Sequence, residues 1–335
     1  MEVNGTVEFD GTGRLRYPTT TGTILFSIEV AFSLIANFLV VFLFACRRRL
    51  LCNPHNRCIL SLAITDILTS ITVFFSPGLV LKEKFQNAKD YSYVTREIYC
   101  RFIYSNFLPF ALAVTSLYTS VVLAFERWLA VRRSIFYKTS FKIRHMNRLI
   151  MASWIAGFTA EVPIMIMMKG VYDQPEENCR YIVAENKVLT LCLSVAFIVF
   201  QMVIPLTLIT IAYVDTFRGI RASLRFTESA RTENINCIKR SKKVTKVAAI
   251  TTFILTVCWV TCSIPFFVSL LAFDPLNDYQ DPLVVVIGLL AFANTCINPC
   301  IYVFSNPELR HALKDVLLKN TPQHTQSGGA RAHGQ

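Results

Sequence analysis

Long apolar blocks alternate with short polar segments along the chain, and this pattern is the first guide to its fold. Seven blocks are long and apolar enough to cross a bilayer as helices, at residues 24–46, 58–81, 102–125, 149–168, 188–214, 247–273 and 283–305. A membrane helix needs about 20 such residues, whereas a barrel strand would show about 10 in strict alternation. The alternative is a large soluble helical core. The block lengths favour an all-α membrane protein, a bundle of seven transmembrane helices over residues 24–305.

The third block is distinctive because its charged residues are confined to its ends. No charge occurs from Phe102 to Phe125, and Glu126, Arg127 and Trp128 follow directly. Cys100 precedes the same block. This span is therefore expected to carry a cysteine at one membrane face and an acid–base pair at the other.

Lysine and arginine are distributed unequally between the loops, which predicts the orientation. Loops 47–57, 131–148 and 215–246 hold four, six and nine of them, whereas loops 82–99, 169–187 and 274–282 hold four, three and none. Because cytoplasmic loops carry the excess, the first group is expected inside the cell and residues 1–23 outside. The chain of 335 residues is 53% hydrophobic with a net charge of +12. Topology explains that charge, and nothing in it indicates a nucleic-acid partner.

Two features of the outer side point to covalent modification. Residues 1–23 lack an apolar signal core, so the first span is expected to insert itself, and Asn4 begins a glycosylation sequon. Of eleven cysteines, Cys100 and Cys179 are the two in outer loops or at their mouths. An oxidising exterior favours a disulfide between them over two free thiols.

Polar side chains inside the spans mark candidate sites, because each is costly in lipid unless it faces the bundle interior. Asp66 is the one carboxylate at a middle to inner depth of a span. Oxygens of Ser116, Asn294 and Asn298 are available to hold a small cation beside it. The alternative is a protonated, hydrogen-bonded structural aspartate.

The C-terminal region predicts a short amphipathic helix over residues 306–319, followed by a disordered tail at 320–335. Asn306, Pro307 and Glu308 suit the start of a helix as N-cap, first helical residue and acidic first turn. We expect this helix to lie along the cytoplasmic surface of the membrane.

Taken together and in this order, these features resemble the rhodopsin-like (class A) G protein-coupled receptors over residues 24–318. The matching positions are Asn37, Leu62-Ala63-Ile64-Thr65-Asp66, Cys100 with Cys179, Glu126-Arg127-Trp128, Trp154, Pro163, Pro205, Tyr213 and Asn298-Pro299-Cys300-Ile301-Tyr302. Each motif is weak alone, whereas the ordered set across seven spans is specific.

The resemblance implies a ligand bound from outside between the helices and a heterotrimeric G protein, and then arrestin, bound inside near Arg127. The implied ligand pocket contains Pro109, Phe110, Ala113, Gln201 and Phe292. The implied sodium pocket contains Asp66, Ser116, Asn294 and Asn298. The implied activation switch contains Glu126, Arg127, Trp128, Tyr213, Trp259, Pro299 and Tyr302. From the residues themselves, Glu126 neutralises Arg127 in a closed state; the alternative is a purely structural ion pair.

Three departures from the family pattern are apparent. Cys100 lies further ahead of Arg127 than the family pattern has it, which predicts a looped or shifted outer end of the third span. Trp128 replaces a tyrosine. The sixth span can be matched to the family in two ways. Either Trp259 is the family tryptophan and Thr261 replaces the usual proline, or Pro265 is the family proline and Ser263 replaces the tryptophan. The spacing to the basic residues before the span favours Trp259.

The ligand class is inferred mainly by exclusion. Pro109 occupies the position where amine receptors of the family hold an acid, and the seventh span has no lysine for a retinal Schiff base. The outer segments hold nine Lys or Arg against thirteen Asp or Glu. This balance favours a cationic or neutral ligand, and a peptide, such as a neuropeptide, is the first expectation. A lipid or small neutral molecule is the second.

A membrane carrier and an enzyme are the alternatives to a receptor. A proton- or ion-linked carrier would use Asp66, Glu29 and Glu161, but the chain shows no inverted repeat. An enzyme is not expected, because all five histidines lie in inner loops or the tail and no HExxH, GxSxG or P-loop motif occurs. No cofactor is expected apart from an allosteric sodium ion.

Overall fold

The fold is taken from a computed structural model, which describes residues 8–9, 15–16, 19–76, 92–170, 179–181, 187–229, 242, 245–246, 249–250, 253–254, 256–261 and 282–319. The predictions for Asn4, for much of the sixth span and for the tail at 320–335 lie outside these residues.

Helices dominate the described chain. They are α1 (Thr19–Cys46), α2 (Pro54–Phe75), α3 (Tyr93–Ile98), α4 (Phe107–Arg132), α5 (Ser134–Thr139), α6 (Ile143–Met167), α7 (Lys187–Ile198), α8 (Ile204–Ser229), α9 (Pro282–Ser305) and α10 (Pro307–Lys319). A 3-10 turn, Arg48–Cys52, joins α1 to α2. Within the described residues six helical segments are long and apolar enough to cross a membrane, which agrees with the predicted bundle. Of the predicted sixth span, short helical pieces within residues 249–261 are described.

The helix α4 occupies the centre of the bundle, in contact with α2, α6 and α8. Its contact with α6 is unusually close at Gly157. A Cβ atom added there would lie 2.6 Å from the backbone Cα of Thr115. Only a residue without a side chain allows the two helices to approach so closely, as is common in membrane bundles.

Replacing Gly157 by Val is expected to destabilise the bundle, because the new side chain overlaps backbone atoms that cannot rotate away. Overpacking of this kind costs about 1–3 kcal/mol. The melting temperature in detergent, followed by intrinsic tryptophan fluorescence, should fall clearly below that of the wild type. The control is Ala152→Val on the exposed side of the same helix. Equal melting temperatures for the two variants would show that the close contact is not required.

The outer end of the third span is irregular. A π-helical turn, Tyr99–Tyr104, follows α3, and Asn106 has a left-handed backbone with φ of 55°. The helix restarts at Phe107, so Pro109 falls in the first turn, where a missing N–H costs no hydrogen bond. This break accommodates the long spacing between Cys100 and Arg127. The expectation of a shifted outer end is confirmed.

Two short hairpins, which the sequence pattern did not predict, lie in the segments assigned to the outer side. Strands β1 (Glu8–Phe9) and β2 (Leu15–Arg16) pair antiparallel, as do β3 (Met168–Gly170) and β4 (Cys179–Tyr181). The predicted disulfide between Cys100 and Cys179 is present and fastens β4 to the π-helical turn before α4. Glu97 adds a second link, because its Oε1 accepts a hydrogen bond from the Gly170 backbone N–H at 3.2 Å.

The helix α10 begins as the sequence predicts. Asn306 Oδ1 accepts from the backbone N–H of Glu308 at 3.0 Å, and Asn306 Nδ2 donates to Asn56 Oδ1 at 2.7 Å. Leu309 and Ala312 are buried against α1 and α2. The position of this helix on the membrane surface remains a prediction.

Candidate functional site

The acid–base pair at the end of α4, Glu126 and Arg127, forms a bidentate ion pair, which we call the fork. Arg127 donates from Nε to Glu126 Oε2 at 2.5 Å and from Nη2 to Oε1 at 2.7 Å. The Glu126 side chain is fully buried, whereas that of Arg127 keeps partial access to solvent. A buried carboxylate of this kind requires a partner, so the fork holds the arginine away from other anions.

Two further side chains converge on Glu126 from other segments. Tyr137 Oη of α5 donates to Glu126 Oε1 at 2.5 Å, and His55 Nδ1 of α2 lies 3.2 Å from Oε2. Burial, followed by the negative charge of Glu126, raises the pKa of the Tyr137 hydroxyl, so it stays protonated and donating at neutral pH. We call Glu126, Arg127, Tyr137 and His55 the acid–base corner. It joins α2, α4 and α5.

Trp128 makes a second link, from α4 to α8. Its Nε1 donates to Asp215 Oδ2 at 2.7 Å, and Arg132 Nε donates to the same oxygen at 2.8 Å. Sequence reasoning marked Trp128 only as a departure from the family pattern and missed Asp215. The available signal was a lone acid at the inner end of the fifth span, beside a strongly basic loop.

The predicted sodium-pocket residues come together in the bundle interior. Asp66 is buried; its Oδ1 accepts from Ser116 Oγ at 3.1 Å and its Oδ2 from Asn298 Nδ2 at 3.0 Å. Asn294 Nδ2 lies 3.4 Å from Ser116 Oγ and donates to it. A carboxylate, a hydroxyl and two amides fit a hard cation that prefers oxygen ligands. Both amides present nitrogen here, so cation binding would require them to turn their oxygens inward.

A polar seam continues from this cluster towards α1. Asn37 Nδ2 donates to the Thr295 carbonyl at 2.8 Å and to the Ser33 carbonyl at 3.0 Å. Ser70 Oγ donates to Ser33 Oγ at 2.7 Å. These bonds hold α1, α2 and α9 together around Asp66, which gives the matched Asn37 a structural role.

Aromatic side chains fill the centre of the bundle on the outer side of Asp66. The Phe110 ring lies 6.4 Å from Trp259 and 5.6 Å from Phe292, measured between centroids. Trp259, Phe292 and Ala113 are buried in the same cluster as Tyr213. The core position of Trp259 supports the alignment favoured from the sequence, while Ser263 and Pro265 lie outside the described residues.

Gln201 is turned inward by a π-helical turn, Val199–Val203, between α7 and α8. Tyr118 Oη donates to the Phe200 carbonyl of this turn at 2.7 Å. Gln201 Nε2 donates to Glu161 Oε1, and both side chains are buried. Glu161 therefore faces the protein interior rather than the lipid headgroups.

The remaining residues assigned from the resemblance are buried within the helices of the bundle. Tyr213 is buried in the same cluster as Trp259, and Tyr302 is buried against α1 and α2. Pro299 lies inside α9 and Pro109 is buried in the first turn of α4. The residues assigned from the resemblance thus include three groups: the aromatic core, the hydrogen-bonded cluster at Asp66 and the acid–base corner.

Comparison with known proteins assigns the family. The sequence profile of the 7 transmembrane receptor (rhodopsin family) matches residues 36–302. The chain belongs to the rhodopsin family of seven-transmembrane receptors. Members of this family are receptors and not enzymes, so the expectation of no enzymatic activity holds, and the carrier alternative is unsupported.

Individual receptors of the family are only distantly similar to this chain. The human trace amine-associated receptor 2 is 27% identical over 280 residues, covering 79% of this chain and 73% of the relative. The allatostatin-A receptor of Bombyx mori is 24% identical over 311 residues, covering 89% and 80%. A melanopsin of Phodopus sungorus is 25% identical over 311 residues, covering 87% of this chain but 61% of the relative. The chain thus spans less than two thirds of that melanopsin.

Proposed function

We propose that this receptor lies in the plasma membrane with its N-terminus outside and its C-terminus in the cytoplasm. It binds an extracellular ligand between its helices and activates a heterotrimeric G protein, with arrestin as a later partner. The closed acid–base corner carries the proposal. It places a neutralised, partly accessible arginine beside the basic loops, where a cytoplasmic partner would bind.

Activation in this account means opening the corner. The bonds from Tyr137 and His55 hold Glu126 in place while it neutralises Arg127. When the inner ends of the helices separate, Arg127 becomes a free cation for the partner. Ile135 of α5, the helix that directly follows α4, is 80% exposed and available to such a partner. Phe136, the next residue, is 50% exposed, so the two side chains together form an apolar contact for such a partner.

A peptide remains the favoured ligand. The absence of an acid at Pro109 argues against a simple amine, although one similar receptor is named for trace amines. The similarity to a receptor named for allatostatin-A and the excess of acids in the outer segments favour a neutral or cationic peptide. A lipid or small neutral molecule is the second candidate.

The test is a screen of cells expressing the full chain with peptide, amine and lipid libraries, read out by cAMP and calcium. We expect a peptide to evoke a response that is lost in Arg127→Ala while surface expression persists. A response that survives Arg127→Ala would contradict the role of the corner. Hits confined to amines would contradict the peptide assignment.

A sodium ion at Asp66 is proposed to favour the resting state. Replacing sodium chloride by choline chloride at constant ionic strength should raise basal nucleotide exchange in membranes bearing the wild-type receptor. The Asp66→Asn variant should show no such difference, because the anionic ligand is gone. Glu29→Gln, which removes a carboxylate further along the bundle, is the control and should keep the response. A sodium response preserved in Asp66→Asn would place the ion elsewhere.

A further inference from the structure

A basic cavity lies where α5 meets the start of α6. Its volume is about 670 Å³, and its lining consists of Ile143 and six polar residues, Thr139, Ser140, Lys142, Arg144, His145 and Arg148. The sequence contains no acid between Glu126 and Glu161. Within the part of the chain that the structure describes, Lys142, Arg144 and Arg148 form no ion pair. The cavity therefore concentrates positive charge without an internal counter-ion.

The cavity adjoins a stripe of exposed apolar side chains on α6. Arg144, Arg148, Met151 and Ile155 share one face of α6, because they recur at helical spacing. Met151 is 65% exposed and Ile155 is 63% exposed, as expected of side chains that contact lipid tails. With a rise of 1.5 Å per residue, Arg148 lies only about 4.5 Å along the helix from Met151. Both arginines thus lie at headgroup depth on a lipid-facing stripe.

We propose that this cavity binds the headgroup of an anionic lipid that carries several phosphates, such as a phosphorylated inositol lipid. Guanidinium groups hold phosphate oxygens in pairs, and the Thr139 and Ser140 hydroxyls can donate as well. The N-terminus of α6 adds a favourable dipole. Three cations, Lys142, Arg144 and Arg148, can balance more than one phosphate group.

The site is connected to the acid–base corner through stacked rings. The His145 ring stacks on Phe141 at 5.9 Å, and Phe141 stacks on Tyr137 at 5.6 Å. The Tyr137 hydroxyl in turn donates to Glu126. A bound headgroup therefore touches His145, the last ring of a stack that begins at Tyr137 in the acid–base corner.

The test uses the full receptor in nanodiscs and a fluorescent inositol lipid with two ring phosphates, whose binding is followed by anisotropy. The Arg144→Gln/Arg148→Gln variant should bind roughly 25-fold more weakly or worse, since each charge-assisted guanidinium–phosphate contact that is lost contributes roughly fivefold or more. The control pair Arg48→Gln/Arg49→Gln removes two exposed cations from the loop before α2 and should bind like the wild type. Arg144→Lys/Arg148→Lys, which keeps the charge, should retain most of the affinity.

Competition experiments distinguish an inositol lipid from other anionic lipids and from a soluble phosphate compound. Phosphatidylserine discs of matched total charge and soluble inositol trisphosphate should both displace the probe poorly. Equal displacement by phosphatidylserine, or equal loss in the control pair, would overturn the cavity in favour of general surface attraction. Equal displacement by inositol trisphosphate would overturn the lipid in favour of a soluble phosphate. A monodisperse size-exclusion profile for every variant excludes misfolding as the cause of a loss.

Discussion

Replacing Glu126 by Gln is expected to raise basal G protein signalling about fivefold. The amide keeps an acceptor for Tyr137 but loses the charge that holds Arg127, and charge-assisted bonds are about twice as strong as neutral ones. A loss of about 1 kcal/mol in the closed state shifts the equilibrium towards the open state roughly fivefold. Basal cAMP or calcium signals, normalised to surface expression, measure this shift.

Two companion variants sharpen that measurement. Tyr137→Phe removes one neutral donor to Glu126 while keeping its ring against Phe141, so a smaller rise, about twofold, is expected. Asp315→Asn breaks an exposed ion pair with Arg47 and should leave the basal signal unchanged. A basal signal in Glu126→Gln no higher than in Asp315→Asn would show that the fork is a structural ion pair and not a switch.

Cys100→Ser is expected to lower surface expression and thermal stability strongly, and Cys179→Ser should do so equally. The bridge closes a loop of 79 residues, for which the chain-entropy estimate is roughly 3–5 kcal/mol. It also fixes β4 over the irregular turn that leads into α4. Surface labelling in cells and melting curves in detergent provide the two readouts.

The double variant gives the sharper test of that pair. Because either substitution breaks the same bond, Cys100→Ser/Cys179→Ser should be no worse than either single variant. Cys192→Ser, at an exposed thiol in α7, is the control and should resemble the wild type. Additive losses in the double variant would contradict a shared bond.

Much of the site could be predicted because its residues lie at regular positions on long helices. Asp66, Ser116, Asn294 and Asn298 are polar residues within apolar spans, and lipid forces such groups to face each other. Asn306 is followed by proline and an acid, so the start of α10 could be read locally. The order of these motifs along the chain also identified the family that the sequence profile establishes.

The contacts that could not be predicted depend on distant pairings. Tyr137 and His55 reach Glu126 from separate segments, and nothing local marks either as a partner. The link from Trp128 to Asp215 likewise depends on the rotation of α8 against α4. Apolar patterning determines which face of a helix is buried, but it does not determine which polar side chains then come into contact.

Irregularities of the backbone also could not be predicted in detail from the sequence. The spacing of Cys100 predicted some distortion, but not the left-handed Asn106 or the restart at Phe107. The π-helical turn that brings Gln201 to Glu161 left no signal in a uniformly apolar stretch. Such turns add one residue without changing composition, so a pattern-based interpretation treats the helix as continuous.

The most direct test of the account is nucleotide exchange on purified heterotrimeric G proteins of several subtypes, catalysed by the purified receptor in nanodiscs. The account predicts measurable exchange with at least one subtype, faster with Glu126→Gln than with the wild type, and nearly abolished in Glu126→Gln/Arg127→Ala. Folded receptor that gives no exchange above blank nanodiscs, with wild type and Glu126→Gln alike, would contradict it.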